Sequence, residues 1–79
     1  MNKQLYVGEA YKNNKRIEFL IHDTRKGAEF DILMSSTTLK EEECKNKMSW
    51  PETYKNHMYK VDGIEIELHQ RKLYTGGKP

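Results

Sequence analysis

The side chains best suited to metal binding or nucleophilic catalysis are three histidines and one cysteine. His22, His57, His69 and Cys44 are widely separated, whereas zinc motifs use paired ligands at spacings such as C-x-x-C or H-x-x-x-H. Cys44 follows the acidic run 41–43, whose carboxylates are expected to raise the pKa of its thiol and weaken it as a nucleophile. The sequence therefore predicts no metal site, no cofactor and no cysteine nucleophile.

The acidic residues of the C-terminal half also lack a catalytic arrangement. Glu65 and Glu67 fall on one face of a predicted strand, but Lys60 and Met58 face them, as on an ordinary solvated sheet surface. The glycines do not form a phosphate-binding loop. A chain of 79 residues also has little room for a ligand pocket of ordinary size. The sequence therefore indicates a binding protein rather than an enzyme.

Large aromatic side chains and methionine give the first binding hypothesis, because these residue types are enriched at protein interfaces. The residues predicted to contact a protein partner are Trp50, Met48, Tyr54, Tyr6, Leu20 and Leu33. Trp50 has two interpretations, since the single tryptophan of a small domain can also fill one end of its core. On this hypothesis the chain is a small protein-binding module, such as an inhibitor or adaptor acting on a cellular protein.

Nucleic-acid binding is the alternative function. Basic residues cluster at two predicted turns and in the last strand, and tyrosines can stack on unpaired bases. The residues predicted for binding single-stranded nucleic acid or RNA are Lys12, Lys15, Arg16, Arg25, Lys26, Arg71, Lys72, Tyr11 and Tyr74. The two turn clusters fall at opposite ends of one predicted strand, and the acidic run 41–43 would repel phosphate. We therefore rank this alternative second.

Composition limits the class of protein. Charged residues make up 33% of the 79-residue chain, the net charge is +2, and the mean hydropathy is -0.99, so any core is small. The single cysteine excludes an internal disulfide. Lys3 is not followed by the apolar segment of a signal peptide, so we expect a cytoplasmic protein. In compactness, mixed charge and lack of catalytic motifs the chain resembles small accessory proteins of bacterial viruses, many of which block a host enzyme. No sequence motif carries this resemblance.

The elements that must position these residues begin with an alternating stretch between Ile17 and Met34. Its period of two predicts two strands joined by a loop over residues 24–27. A first strand is predicted from Gln4 to Tyr11. The inner face of this three-stranded meander is predicted to comprise Leu5, Val7, Ile17, Phe19, Ile21, Phe30, Ile32 and Met34.

The first turn has two possible registers. A two-residue turn at Asn13–Asn14 would place Glu9 opposite Glu18, which is an unfavourable like-charge pair. A three-residue loop would place Val7 opposite Phe19 instead, and we expect this second register. The predicted alternation also puts His22 opposite Glu29 in the next strand.

The second half of the chain predicts one helix and one hairpin. Thr38 and Glu41 fit a capping box, which predicts a short helix from about Leu39 to Lys47. Glu41 and Lys45 are spaced for an ion pair one turn apart in this helix. Asp62-Gly63 is typical of a type I′ turn and sets the register of a C-terminal hairpin. The predicted pairs are Val61 with Ile64, Lys60 with Glu65, Tyr59 with Ile66, Met58 with Glu67, His57 with Leu68, and Asn56 with His69.

The predicted fold is mainly β, antiparallel β-β-β-α-β-β with one short helix. It would form a small OB-like or SH3-like barrel, or a curled five-stranded sheet. Residues 1–75 are predicted to form a single domain, and residues 76–79 a disordered tail. If the sheet stays open, a strand edge at Gln4–Tyr11 or Arg71–Tyr74 could pair with a second copy or a partner.

Overall fold

The structure, a computed structural model, describes residues 2–74 and the side chains of residues 3–72. Its elements follow the order β-β-α-α-β-β. Their bounds are β1 Asn2–Lys12, β2 Lys15–His22, α1 Arg25–Ser36, α2 Glu41–Lys47, β3 Asn56–Val61 and β4 Ile64–Tyr74. The tail predicted at 76–79 lies outside the described residues.

The four strands form one antiparallel sheet in the order β2-β1-β4-β3. The predicted mainly β, antiparallel architecture is confirmed. The predicted count of five strands and one helix is wrong, since the described residues form four strands and two helices. Of the two predicted arrangements, the closed barrel is wrong, because β2 and β3 lie at opposite edges of an open sheet. The free edge predicted at Gln4–Tyr11 is also wrong, since β1 pairs with both β2 and β4 over residues 6–11. None of the helices in residues 2–74 is long and apolar enough to cross a membrane.

The third predicted strand is instead the helix α1. Thr24 begins it, because its side-chain oxygen accepts a hydrogen bond from the Gly27 amide at 3.0 Å. The Ala28 amide donates to the Thr24 carbonyl, also at 3.0 Å. The four residues interpreted as a hairpin loop therefore contain the cap and first turn of a helix.

Residues 28–34 carry a helical repeat of apolar residues as well as the alternation of a strand. Ala28 and Ile32 are four residues apart and both fully buried, and Leu33 lies beside them in the core. Met34 is exposed and Phe30 is half-buried, so the predicted pairing of this segment with β2 is wrong. Leu33 separates the two repeats, because the strand repeat would place it on the face opposite Ile32, whereas the helix buries both side chains. Burying a leucine side chain contributes roughly 1.5–3 kcal/mol, which favours the helix.

The β1–β2 turn is the two-residue turn, but a bulge beside it changes the register beyond Tyr11. Asn13–Asn14 has positive φ at both residues, 53° and 64°, as a two-residue turn requires. The expected three-residue loop is therefore wrong. Ile17 forms a bulge that shifts the pairing, so that Glu18 lies opposite Ala10 and not opposite Glu9. The bulge removes the unfavourable pair without lengthening the turn.

The C-terminal hairpin is confirmed in every pair, from Val61 with Ile64 to Asn56 with His69. Its turn has φ of 53° at Asp62 and 77° at Gly63, the left-handed conformation that a type I′ turn needs.

The second helix begins two residues later than predicted, at Glu41. The proposed cap at Thr38 is wrong, because Lys40 is the residue that precedes the helix and its amide donates to the Glu43 carboxylate at 2.9 Å. The predicted Glu41–Lys45 ion pair is present at 3.3 Å.

The core lies between one face of the sheet and the two helices. Its buried members are Ala10, Ala28, Ile32, Leu33, Cys44, Trp50, Val61, Ile64, Ile66 and Leu68. Gly8 lets α1 approach β1 closely, since a Cβ there would lie 2.9 Å from the Cβ of Ile32. Within residues 2–74 the helices cover this face of the sheet only, so no described element covers the other face.

A buried carboxylate attaches the segment before β3 to α1. Glu29 is 2% exposed and accepts hydrogen bonds from the Ser49 amide at 2.8 Å, the Trp50 amide at 3.2 Å and the Tyr59 hydroxyl at 2.8 Å. The expectation that Glu29 faces His22 across a hairpin is wrong. Burial, followed by the Glu29 hydrogen bond and charge, raises the pKa of Tyr59 well above its ordinary value.

Candidate functional site: the uncovered face of the sheet

The uncovered face of the sheet presents a contiguous surface built from alternate residues of all four strands. Residues directly opposite each other on neighbouring strands share a face, so the pairing defines its members. Those from β2 and β1 are Phe19, Ile21, Leu5, Val7, Glu9 and Tyr11, and those from β4 and β3 are Glu65, Glu67, His69, Arg71, Lys60, Met58 and Asn56. Val7 is buried but does not belong to the helix-covered core, which agrees with this assignment.

One half of the uncovered face is apolar. We call Leu5, Val7, Phe19 and Ile21 the β1–β2 patch. Phe19 and Ile21 are 46% and 54% exposed, and Ile17 beside them at the bulge is 44% exposed. The prediction that these three side chains form an inner core face is wrong, because the helices pack on the opposite side. The Arg16 guanidinium lies 5.0 Å from the centre of the Phe19 ring and borders the patch with positive charge.

The other half holds a cluster of possible metal ligands, Glu9, Glu67 and His69. One ligand atom from each of the three lies within 4.8 Å of the others. Glu9 and Glu67 are directly opposite on β1 and β4. His69 Nε2 lies 3.7 Å from Glu67 Oε1, and these two side chains are 19% and 26% exposed.

Two hydrogen bonds from outside this Glu–Glu–His cluster orient its members. The Tyr11 hydroxyl donates to Glu9 Oε1 at 2.6 Å. That bond, followed by burial and the carboxylate charges, raises the pKa of Tyr11. His69 Nδ1 lies 3.0 Å from Asn56 Oδ1. Because an amide oxygen only accepts, the ring donates from Nδ1, and in the neutral imidazole the Nε2 lone pair faces the carboxylates.

The predicted aromatic partner surface is mostly inside the protein. Trp50 is 7% exposed, which decides between the two interpretations in favour of the core. Leu33 is fully buried, and Tyr6, Leu20 and Met48 pack against the core cluster. Of the six predicted partner-binding residues, only Tyr54 is largely exposed.

Trp50 and Tyr6 hold an arginine between them. The Arg25 guanidinium lies 4.4 Å from the Trp50 ring centre and 5.4 Å from that of Tyr6. It also donates to the backbone carbonyls of Pro51 and Tyr54, at 3.0 and 2.8 Å. A cleft of about 420 Å³ opens beside this stack. Arg25 therefore has a structural role in attaching the 50–54 segment to α1.

The basic residues of the nucleic-acid alternative form separate groups. Lys12, Lys15 and Arg16 are exposed at the β1–β2 turn, whereas Arg71 and Lys72 are exposed near the other end of the long β1–β4 pair. Tyr11 is half-buried, and the Tyr74 side chain lies outside the described part. Lys26 is exposed on α1, while Arg25 is committed to the stack just described. The Glu–Glu–His cluster lies between the first and second groups.

The remaining candidate groups have local partners. Cys44 is fully buried, and burial, the largest cause, raises the pKa of its thiol. His22 contacts Asp23 at 3.1 Å and Asp31 at 3.3 Å, and His57 Nε2 lies 3.1 Å from Ser49 Oγ.

Comparison with family models, with curated proteins and with solved structures returns no match. Functional inference therefore depends on the geometry of the uncovered face. Sequence reasoning missed the Glu–Glu–His cluster because it considered ligands close together in sequence. The spacing of Glu67 and His69 on one strand face was a usable signal, but the third member required the β1–β4 pairing.

Proposed function

We propose that this chain is a non-enzymatic protein-binding module that adds an extended strand of a partner protein to the free edge of β2. The observation that carries the proposal is an apolar stripe on an edge strand. Phe19 and Ile21 are exposed on β2, and within the described sheet β2 has no neighbour beyond it. A strand added there would extend the sheet and cover the β1–β2 patch.

The edge of β2 lacks the features that usually block such pairing. Natural edge strands are protected by lysine, proline or a bulge. In β2 the basic residues and the bulge end at Ile17, so residues 18–22 pair regularly with β1 and leave a plain outer edge. The other edge strand, β3, is a weaker candidate, because its exposed side chains are Asn56, Met58 and Lys60, of which only Met58 is apolar.

Charge along β2 defines the chemistry of the partner strand. The N-terminal end of an antiparallel partner strand would lie beside Asp23. Its C-terminal end would lie beside Lys15, close to Lys12 and Arg16. The complementary segment therefore begins with a basic residue, carries apolar side chains at every second position and ends with an acidic residue. β2 itself has this pattern, so pairing centred on Phe19 would place Lys15 opposite Asp23 of a second copy.

Strand capture gives the module two possible effects on its partner. It can block a surface that the captured strand normally uses, as an inhibitor does, or it can join two proteins, as an adaptor does. The burial of Cys44 and the structural role of Arg25 support a binding function over catalysis.

Two matched peptides test the proposal. One nine-residue peptide has the basic-first, alternating apolar, acidic-last pattern, and the other has the same residues with the charged ends exchanged. We expect the first peptide to bind about tenfold more tightly, and to slow amide exchange at residues 18–22 in NMR spectra. Phe19→Lys should weaken binding roughly 30-fold, as loss of an interface hot spot does, while Met34→Lys on α1 serves as the control for adding a lysine at an exposed apolar position.

Light scattering and an RNA titration complete the test. A dimer that Phe19→Lys dissociates, and Met34→Lys does not, supports strand addition and identifies the partner as a second copy. Absence of both peptide binding and self-association would overturn the proposal. Binding of single-stranded RNA that weakens steeply with salt and requires Lys12 and Lys15, without peptide binding, would move the function to the nucleic-acid alternative.

A further inference from the structure

We propose that Glu9, Glu67 and His69 form a binding site for a divalent transition-metal ion of the zinc class on the uncovered face. The site is independent of strand capture at β2, because it uses side chains of the two central strands. It would hold the metal with three protein ligands and leave its remaining position open to water.

The electrostatics of the apo cluster favour a bound cation. Glu9 and Glu67 are directly opposite on adjacent strands, an arrangement that is unfavourable for like charges. Among the described side chains, no lysine or arginine lies within 4.0 Å of either carboxylate, and their only nearby nitrogen ligand is His69. Both facing carboxylates thus lack a permanent positive partner, which a divalent ion would supply.

The donor set selects the kind of ion. Imidazole nitrogen with carboxylate oxygen suits zinc and its neighbours in the first transition row, whereas calcium and magnesium prefer oxygen ligands alone. With bonds of about 2.1 Å, ligand atoms around tetrahedral zinc lie roughly 3.4 Å apart. The 3.7 Å separation of His69 Nε2 and Glu67 Oε1 is close to that value. The Glu9 ligand atom lies within 4.8 Å of the other two and would have to move closer to reach the same ion.

Hydrogen bonds outside the cluster prepare two ligands for this role. Asn56 accepts from His69 Nδ1, which leaves the Nε2 lone pair available toward the carboxylates. Tyr11 donates to Glu9 and fixes its carboxylate on the same face. Partners of this kind orient metal ligands in known sites, and losing one typically weakens affinity 10- to 100-fold. Asn56 and Tyr11 act as positioning residues.

Zinc titration of the untagged chain tests the site. Calorimetry should show one zinc ion per chain, and magnesium at the same concentration should not compete. Long-range nitrogen NMR of the histidine rings should move the His69 Nε2 signal by zinc coordination and leave His22 and His57 unchanged. Glu67→Gln should weaken zinc binding at least tenfold, and Asn56→Ala about tenfold. Glu65→Gln, two residues away on the same strand face but opposite Lys60, is the matched control.

The melting temperature gives a second test, because Glu67→Gln should raise it without zinc and lose most of the gain that zinc gives the wild type. Without metal, Glu67→Gln should melt at a higher temperature than wild type, because it removes the like-charge pair. With zinc at a hundredfold excess over its dissociation constant, wild type should gain about 10 °C or more, and Glu67→Gln should gain little. Equal zinc affinity in Glu67→Gln and Glu65→Gln, or zinc binding that leaves the His69 signal in place, would overturn the site.

Discussion

Removing the charge of Glu29 is expected to destabilise the fold, because this buried carboxylate accepts hydrogen bonds from three donors. Glu29→Gln preserves shape, and its amide oxygen can replace Oε2, which accepts from Ser49, Trp50 and Tyr59, but these bonds lose the carboxylate charge and an NH2 group faces the Trp50 amide where Oε1 accepted. A hydrogen bond to a charged group contributes about 1.5–3 kcal/mol, and an unsatisfied buried donor costs about 1–3 kcal/mol. Relief of carboxylate desolvation offsets part of this loss. The net expected loss is about 2–3 kcal/mol.

Urea unfolding followed by Trp50 fluorescence and circular dichroism measures this loss. With a slope near 1 kcal/mol per molar urea, typical of a small domain, the midpoint should fall by roughly 2–3 M. Glu42→Gln, at an exposed position of α2, should stay within about 0.5 kcal/mol of wild type. Tyr59→Phe combined with Glu29→Gln should be less destabilising than the sum of the two single changes, because both remove the same hydrogen bond.

A wild-type midpoint in Glu29→Gln would refute the three-donor arrangement. So would strict additivity with Tyr59→Phe, since it would mean that the two side chains do not interact. A wild-type midpoint would leave the Arg25 contacts to attach the 49–50 segment to α1, whereas additivity would remove only the Tyr59 hydrogen bond.

Further predictions concern the core, the turn and two titratable groups. Gly8→Val should lower the free energy of unfolding by about 1–3 kcal/mol, because its side chain would displace Ile32; an unchanged melting temperature would argue against close packing of α1 on β1. Gly63→Val should cost about 1–2 kcal/mol, since φ is positive there, and the melting temperature measures it. Because the pKa of Tyr59 is raised, its contribution to the free energy of unfolding is complete below the ordinary tyrosine pKa of 10.0 and declines as the pH rises above that value. Tyr59→Phe should therefore lose less stability at alkaline pH than the wild type in denaturant titrations. Cys44 should react with a thiol reagent in urea but very slowly in the native state, and rapid native labelling would contradict its burial.

The parts of the fold that sequence predicted correctly are those that local chemistry determines. Asp62-Gly63 permits one tight turn, and that turn fixes each pair of the C-terminal hairpin. The Glu41–Lys45 ion pair likewise depends on residues one helical turn apart. These features need no information from the rest of the chain.

The α1 error arose where two periodicities coincide. Residues 28–34 alternate as a strand would, yet Ala28, Ile32 and Leu33 also form a helical stripe, and tertiary packing decides between the two. The cap at Thr24 was the local signal that favoured the helix. Once α1 was interpreted as a strand, the sheet gained a strand and the buried and uncovered faces were exchanged.

The candidate site was only partly predictable for a related reason. The pairing of Asn56 with His69 followed from the hairpin, and the shared face of Glu67 and His69 followed from strand periodicity. Glu9 joins them only through the β1–β4 pairing, which no local pattern specifies. Trp50 could not be placed from sequence, because its position depends on the arginine that stacks on it.

The β1–β4 ladder, which runs from Asn2 with Tyr74 to Tyr11 with Glu65, makes the most distant parts of the described chain neighbours at the centre of the sheet. Each flanking hairpin closes through a two-residue turn and can form within microseconds. Their union must bring together strands separated by nearly the whole sequence, and the entropy of closing that long loop opposes it. We therefore expect docking of two preformed hairpins, together with α1, to be the rate-limiting step of folding. Amide protons of the β1–β4 ladder should then become protected last in pulsed hydrogen exchange, although their central position in the sheet predicts strong protection in the native protein.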